Sequence, residues 1–270
     1  MDILESREQI VKKVEKHGNS GGVYLPKGWI GENVLVSRMS LKERILDVLN
    51  ENLEGVAGIY LYGSYARGEE EPDSDVDVLV IANKKFKIEK EGMDFTIVGI
   101  SEIRQLIEKN PIHLYPIIVE AVPIFNGALI EELKNIRVNP KRFKWLVETT
   151  RSALNVNREF IRQGKNISAV IYSLIMRLRG VYLAKCILKW EKYTNSDFKK
   201  FVTSSGFDEK VFGVFYQIYR AERDGKKIHE REIYIDDLLK LCEILEKSNK
   251  ELEIIINETE QTSEKVAGIS

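Results

Sequence analysis

The chain has 270 residues, 43% of them hydrophobic and 31% charged, with a formal net charge of −1. That balance describes a soluble globular chain of two or three domains and excludes a disordered one. No apolar run approaches the ~20 residues of a membrane helix, and Met1-Asp2-Ile3-Leu4-Glu5 lacks the basic start and apolar core of a signal peptide, so a cytoplasmic location without membrane partners is expected.

Residues 1–40 read as a first unit. Residues 8–15 alternate loosely, 17–22 form a turn and 23–25 a short strand, with one helical turn over 26–30 and a last strand over 33–37. Forty residues cannot bury a stable core alone, so this piece needs a partner chain or the neighbouring domain. The string KKVEKHGNSGGVYLPKGWIGENVLV resembles the swapped-hairpin fold of AbrB-like DNA-binding proteins. The resemblance implies a homodimer of two interleaved copies whose basic hairpin residues contact DNA. Lys12, Lys13, Lys16 and His17 would be those contacts, ahead of Lys27. Six basic against five acidic residues is a thin surplus for tracking phosphates. A dimerisation module without nucleic acid, with His17 as a turn residue and Trp29 as an anchor, therefore stands beside the DNA reading.

A helix is predicted over 41–57, with Ser40 as N-cap and Leu41, Ile45, Val48 and Leu49 at helical spacing. Ile59-Tyr60-Leu61-Tyr62 then forms a strand that runs into Gly63-Ser64, and ten residues later comes Asp75-Val76-Asp77-Val78-Leu79-Val80. With period two, Val76, Val78 and Val80 share one face of that strand, and Asp75 and Asp77 share the other. Two neighbouring carboxylates repel unless a cation lies between them, and hard cations such as Mg²⁺ select oxygen ligands of this kind. The Gly-Ser turn before a short helix offers backbone N–H groups and a hydroxyl to an anion. Residues 83–92 look like a hairpin connection to a further strand over 93–100, where Asp94 would join the two acids if the strands pair. Ser101 caps another helix, 117–119 and 122–125 read as strand, and Asn126-Gly127 is a turn.

Here the sequence resembles a known family. Gly63-Ser64 followed by Asp75-Val76-Asp77 is similar to the signature of the DNA polymerase β-type nucleotidyltransferase superfamily, and GSYARGEEEPDSDVDVLV to its minimal branch. The resemblance covers roughly residues 41–125. It implies that Asp75, Asp77 and Asp94 serve as catalytic and metal-binding acids for Mg²⁺, two ions in all, with Asp94 a ligand or the general base. It also implies that Gly63, Ser64 and Arg67 contact the triphosphate of ATP or another NTP. The alternatives are a solvated strand end for the acids and a surface ion pair for Arg67.

After Ile136 the pattern is helical throughout. Asn139-Pro140 opens a helix that Gly164 closes, and 168–190 form a central helix. Shorter helices follow near 196–204 and 208–223, then a last one over 234–257 and a polar, frayed tail from Thr259. Five helices with short connections describe an antiparallel bundle. Cys186 and Cys242 fall in helical patterns and read as reduced core residues. The bundle resembles HEPN-type domains and the C-terminal domains of antibiotic nucleotidyltransferases. Arg223 and His229 have the loose spacing of a HEPN ribonuclease pair, but Gly225 breaks the helix between them, and a helix cap with solvated charges is the preferred reading. Residues 41–140 carry 11 basic against 18 acidic side chains, and residues 141–270 carry 24 against 19. The basic bundle could attract a nucleotide or polyanion, or form solvated helix faces.

The expected architecture is α+β: a swapped-hairpin β segment (1–40), a mixed α/β nucleotidyltransferase domain (41–136), an antiparallel helical bundle (137–258) and a flexible tail (259–270). The expected function is Mg²⁺-dependent transfer of a nucleoside monophosphate, AMP foremost, to a hydroxyl on a partner protein, a small molecule or RNA. The alternative is a DNA-binding regulator or antitoxin that uses the same fold as nucleotide sensor or scaffold.

Overall fold

The computed structural model describes residues 10–72, 74–191, 193–226 and 233–267, with 260–267 described by backbone alone. The chain divides into two units, Met1–Ile45 and Leu46–Ser270.

In the first unit, β1 (Glu15–His17) and β2 (Ser20–Gly22) pair antiparallel from Glu15↔Gly22 to His17↔Ser20. Gly18, at φ 59°, and Asn19 make the two-residue turn, and the Ser20 hydroxyl donates to the His17 carbonyl at 3.1 Å. This tighter turn overturns the one expected over 17–22, because a positive-φ glycine closes a hairpin in two residues. Residues 23–25 and 33–37 are not strands. Neither has a pairing partner among the described residues, and an unpaired strand gains nothing over water-bonded coil. Lys27–Trp29 form a single 3₁₀ turn. No residue from 10 to 40 is buried, and Val11, Val14, Tyr24, Ile30, Leu35 and Val36 are among those exposed, Leu35 at 93%. Reciprocal hydrogen bonds, Ser40 N–H to Glu43 Oε2 at 2.7 Å and Glu43 N–H to Ser40 Oγ at 3.2 Å, form a capping box for α1 (Leu41–Leu49). That helix is shorter than expected, since a 3₁₀ turn over Asn50–Gly55 tightens its end before the first sheet strand.

The second unit contains a four-stranded sheet. Its chain order is β3 (Val56–Tyr62), α2 (Gly63–Arg67), β4 (Val76–Ala82), β5 (Met93–Gly99), α3 (Ile103–Lys109), α4 (Pro111–Glu120) and β6 (Val122–Phe125). The spatial order is β5-β4-β3-β6. β3 is antiparallel to β4 and β6, whereas β4 and β5 are parallel, from Val76↔Met93 to Ala82↔Gly99. The hairpin expected over 83–92 is therefore a crossover. Ten extended residues reach about 33 Å, enough to return past a seven-residue strand of about 23 Å without a helix. β4 is central and buried on both faces: Val78 and Val80 on one, Leu79 and Ile81 on the other, are all fully inaccessible.

Residues 117–119, expected as strand, belong to α4. Three β-branched residues favour a strand locally. The longer pattern of buried Pro111, Leu114, Tyr115 and Ile118 follows the 3–4 spacing of a helix face, and Pro111 at its first turn starts it. α3 begins after Glu102 and not at a serine cap. α5 (Gly127–Lys134), absent from the sequence reading, is capped by Asn126, whose Oδ1 accepts from Leu129 N–H at 3.2 Å.

The remaining helices are α6 (Lys144–Gln163), α7 (Ile167–Lys189), α8 (Asn195–Ser204), α9 (Glu209–Arg223) and α10 (Ile235–Ala267). The tail expected to fray from Thr259 continues α10 as helix to Ala267. α7 packs against α6, α9, α10 and α4. By length and composition it passes for a membrane span, contrary to the expectation that no such run exists. In this fold its apolar residues are those at the centre of the bundle, with Ile171, Leu174, Ile175, Leu178 and Val181 inaccessible. Cys186 and Cys242 are both free and buried. One hydrophobic core runs without a break from Tyr60, Leu79 and Ile81 of the sheet to Leu252 and Ile256 of α10.

Because Leu174 is fully buried within that core, Leu174→Ala should lower stability by about 2–5 kcal/mol. Urea denaturation followed by circular dichroism would read it.

Candidate active site

Every candidate acid lies at one end of the sheet. β4 and β5 run parallel in register, so Asp77 stands directly beside Asp94, while Tyr62 at the end of β3 is its partner on the other side. Backbones of neighbouring strands are about 4.8 Å apart. A hairpin would have set Asp94 beside Ile81, four residues and about 13 Å from Asp77. The parallel crossover is what brings the acids together. Asp75 lies two residues before Asp77 on the same face and is exposed, as is Asp94, whereas Asp77 is half-buried.

Gly63 joins β3 to α2 at φ 73°, and a Cβ there would collide with the Asp77 carboxylate. The position thus needs glycine twice over, for its backbone angle and for the close approach. Ser64 follows in the first turn of α2, and its hydroxyl makes no hydrogen bond among the described residues. Arg67 in the same short helix is held by two carboxylates: its Nε donates to Glu69 Oε2 at 2.8 Å and its Nη1 to Glu120 Oε2 at 2.5 Å. Glu120 Oε1 in turn accepts from Gly63 N–H at 3.0 Å. A carboxylate of the chain itself therefore occupies the donors at the Gly63–Arg67 turn.

Neither Glu120 nor Tyr62 was singled out as a site residue by sequence. Glu120 carried a faint signal, as the lone acid in the apolar run from Ile117 to Phe125. What brings it to the site is the pairing of β6 with β3, with Val122 opposite Leu61. The Tyr62 hydroxyl reaches across β4 to the Thr96 hydroxyl, 2.9 Å away.

The carboxylates act on one another. Burial, then the charges of Asp94 and Glu120, raise Asp77 from the usual carboxylate range to about 6, against the pull of Arg67. Burial likewise raises Tyr62, reinforced by the surrounding acids and opposed by the Thr96 bond. Burial disfavours the Arg67 charge, but the bonds to Glu69 and Glu120 outweigh it and raise its pKa. Asp75, Asp77 and Asp94 form no ion pair among the described residues. An oxygen-only set of this kind suits Mg²⁺, which is held by one or two carboxylates together with substrate phosphates. Among the described residues no three side chains converge into a ready metal cage. These acids could hold a cation only together with oxygens from a ligand.

The loop after α2 is tied to the helices. Arg220 forks onto Glu71 at 2.9 and 3.1 Å, and Asn195 Nδ2 donates to Glu69 at 3.4 Å. Asn195 also accepts from Arg179, whose other nitrogens donate to the hydroxyls of Tyr193 and Tyr219 at 3.0 and 2.7 Å. A polar chain thus runs from Glu120 through Arg67, Glu69 and Asn195 to Arg179. Elsewhere, Lys12, Lys13, Lys16, His17 and Lys27 are all exposed in the first unit. Arg223 pairs with Asp224 at 2.7 Å, and His229 lies outside the described residues.

Residues 42–138 match the family model of the nucleotidyltransferase domain. Carrying that domain, the protein is a nucleotidyltransferase enzyme, with an α+β fold in which a small mixed sheet precedes a helical region. No curated protein matches the sequence. Solved structures similar to it include a nucleotidyltransferase-like protein from Exiguobacterium sibiricum 255-15, 11% identical, with 81% of this chain and 78% of that one covered at a TM-score of 0.39. Another is spectinomycin adenyltransferase AAD(9) from Enterococcus faecialis, 14% identical, with 77% and 97% covered at a TM-score of 0.41. Both overlaps are loose.

Because the folded pKa of Asp77 is raised to about 6, its favourable contribution is complete below the ordinary carboxylate range and is lost as pH rises through 6. In metal-free buffer Asp77→Asn should melt at a higher temperature than wild type at pH 7.5, and the gap should narrow at pH 5 and close only below the ordinary carboxylate range. Thermal melts at the two pH values check both.

Proposed function

We propose that the enzyme transfers a nucleoside monophosphate, AMP from ATP in the first instance, to an acceptor hydroxyl and releases pyrophosphate. The observation that carries this reading is the in-register pair Asp77–Asp94, with Asp75 beside it, facing the Gly63–Ser64 turn. Asp75 and Asp77 would hold Mg²⁺, with Asp94 completing the set or taking the acceptor proton. Two such ions, when bound, would steady the triphosphate and lower the pKa of the attacking hydroxyl.

The chain's own groups supply the rest. The unbonded Ser64 hydroxyl is available to a phosphate oxygen, and the Gly63 N–H and Arg67 guanidinium become available once Glu120 yields them. An N–H cannot serve a carboxylate and a phosphate at once, so the nucleotide enters by displacing Glu120. The acceptor would be a protein, a small hydroxylated molecule or an RNA end, met between the catalytic sheet (41–136) and the helical bundle (137–258), in the cytoplasm. Incubating the protein with Mg²⁺, each of the four α-³²P-labelled NTPs and host lysate should move label from one NTP onto an acceptor band. The Asp75→Ala/Asp77→Ala double variant should lose that transfer. Absence of transfer from all four, with nucleotide binding retained, would defeat the proposal.

The exposed apolar side chains of residues 10–40 favour a second property, assembly through the N-terminal segment (1–40) as a homodimer, with Lys12, Lys13, Lys16 and His17 free to meet DNA. A nucleotide-sensing regulator or antitoxin is the alternative function on this basis. Sedimentation should show a dimer that becomes a monomer when residues 1–40 are removed. A monomeric full-length chain would remove the basis for this second reading.

A further inference from the structure

We propose a second ligand site, for a nucleoside monophosphate, in a cavity of about 550 Å³ lined by α4, the segment 137–141, the end of α7 and Thr259 of α10. It shares no lining residue with the candidate active site described above, and its volume lies in the range of small-molecule sites.

The lining has the parts such a ligand needs. Tyr115, Ile187 and Leu188 form apolar walls, and Trp190, a residue 56% exposed, adds a flat ring. Arg137 and Lys141 also line the cavity; neither side chain makes an ion pair among the described residues, and no carboxylate lines it among them. Two unpaired cations complement the nearly two negative charges of a phosphate monoester at neutral pH. A base can stack on an indole whatever its identity, because every base presents a π-face.

The backbone at Trp190 is a separate observation. This residue closes α7 at φ 60°, donating its N–H to the Ile187 carbonyl at 3.3 Å. Helices that end in the left-handed conformation usually place glycine there, since a side chain adds strain. Packing does not explain a tryptophan at that point, because the residue is more than half exposed beside the cavity. A stacking role does explain it. Strain of this kind persists where the side chain has work to do.

The site is tested on the full chain carrying Asp75→Ala/Asp77→Ala, in EDTA, so that the metal-dependent site does not contribute. Titration calorimetry with AMP should show one binding event, with adenosine and inorganic phosphate each binding at least tenfold more weakly. Adding Arg137→Gln/Lys141→Gln should weaken AMP at least tenfold, as should Trp190→Leu. The two cations are exposed, so an unchanged melting temperature should confirm that the fold is kept. In a Trp29→Phe/Trp145→Phe background, AMP should quench the remaining indole fluorescence. No AMP binding, or AMP binding unaffected by both sets of substitutions, would overturn the proposal. Loss of nucleotidyl transfer in the acid-free background leaves this measurement untouched, so the two readings fail separately.

Discussion

The parallel pairing of β4 with β5 is the constraint on which the site depends. It holds two carboxylates side by side, with a third two residues away, at a strand end that is only half open to water. Burial, and then the like charges of Asp94 and Glu120, raise Asp77 to about 6. The repulsion is sustained by the core behind it, since Leu79 and Ile81 on the same face of β4 are fully buried in the mass shared with the helices. A cation between these carboxylates, as the proposed function requires, would relieve that repulsion.

Glu120 ties the parts of the site together. With one oxygen on the Gly63 N–H and the other on Arg67, it satisfies donors that would otherwise face water or a ligand. It also adds negative charge beside Asp77, which Arg67 partly offsets. The same guanidinium continues through Glu69 to Asn195 and Arg179, so a change at the α2 turn is mechanically connected to α7 and α8. The helices are thus part of the site's framework. They share one core with the sheet, and α4 contributes to both the sheet end and the apolar wall of the second cavity.

The sequence misled where local preference and long-range pairing disagreed. Ile117, Ile118 and Val119 favour a strand as a triplet, yet the buried spacing of α4 takes them as helix. Residues 83–92 have the polar composition of a hairpin, and only the sheet order reveals a crossover. The tail after Thr259 reads as polar coil but continues α10. In the first unit, a two-residue turn at Gly18-Asn19 moved the strand pairing ahead of residue 23, and no residue from 10 to 40 is buried.

By itself the sequence determined the local chemistry: the alternation of Asp75 and Asp77 on one strand face, the Gly63-Ser64 turn ten residues earlier, the N-cap at Ser40 and the helical run after Asn139. Each depends on residues a few positions apart, where covalent geometry leaves little choice. The tertiary structure alone decided the direction of β5, and with it the place of Asp94, and it brought Glu120 to Gly63 across 57 positions of chain. Those contacts arise from which surfaces bury together, and no short stretch of sequence records that.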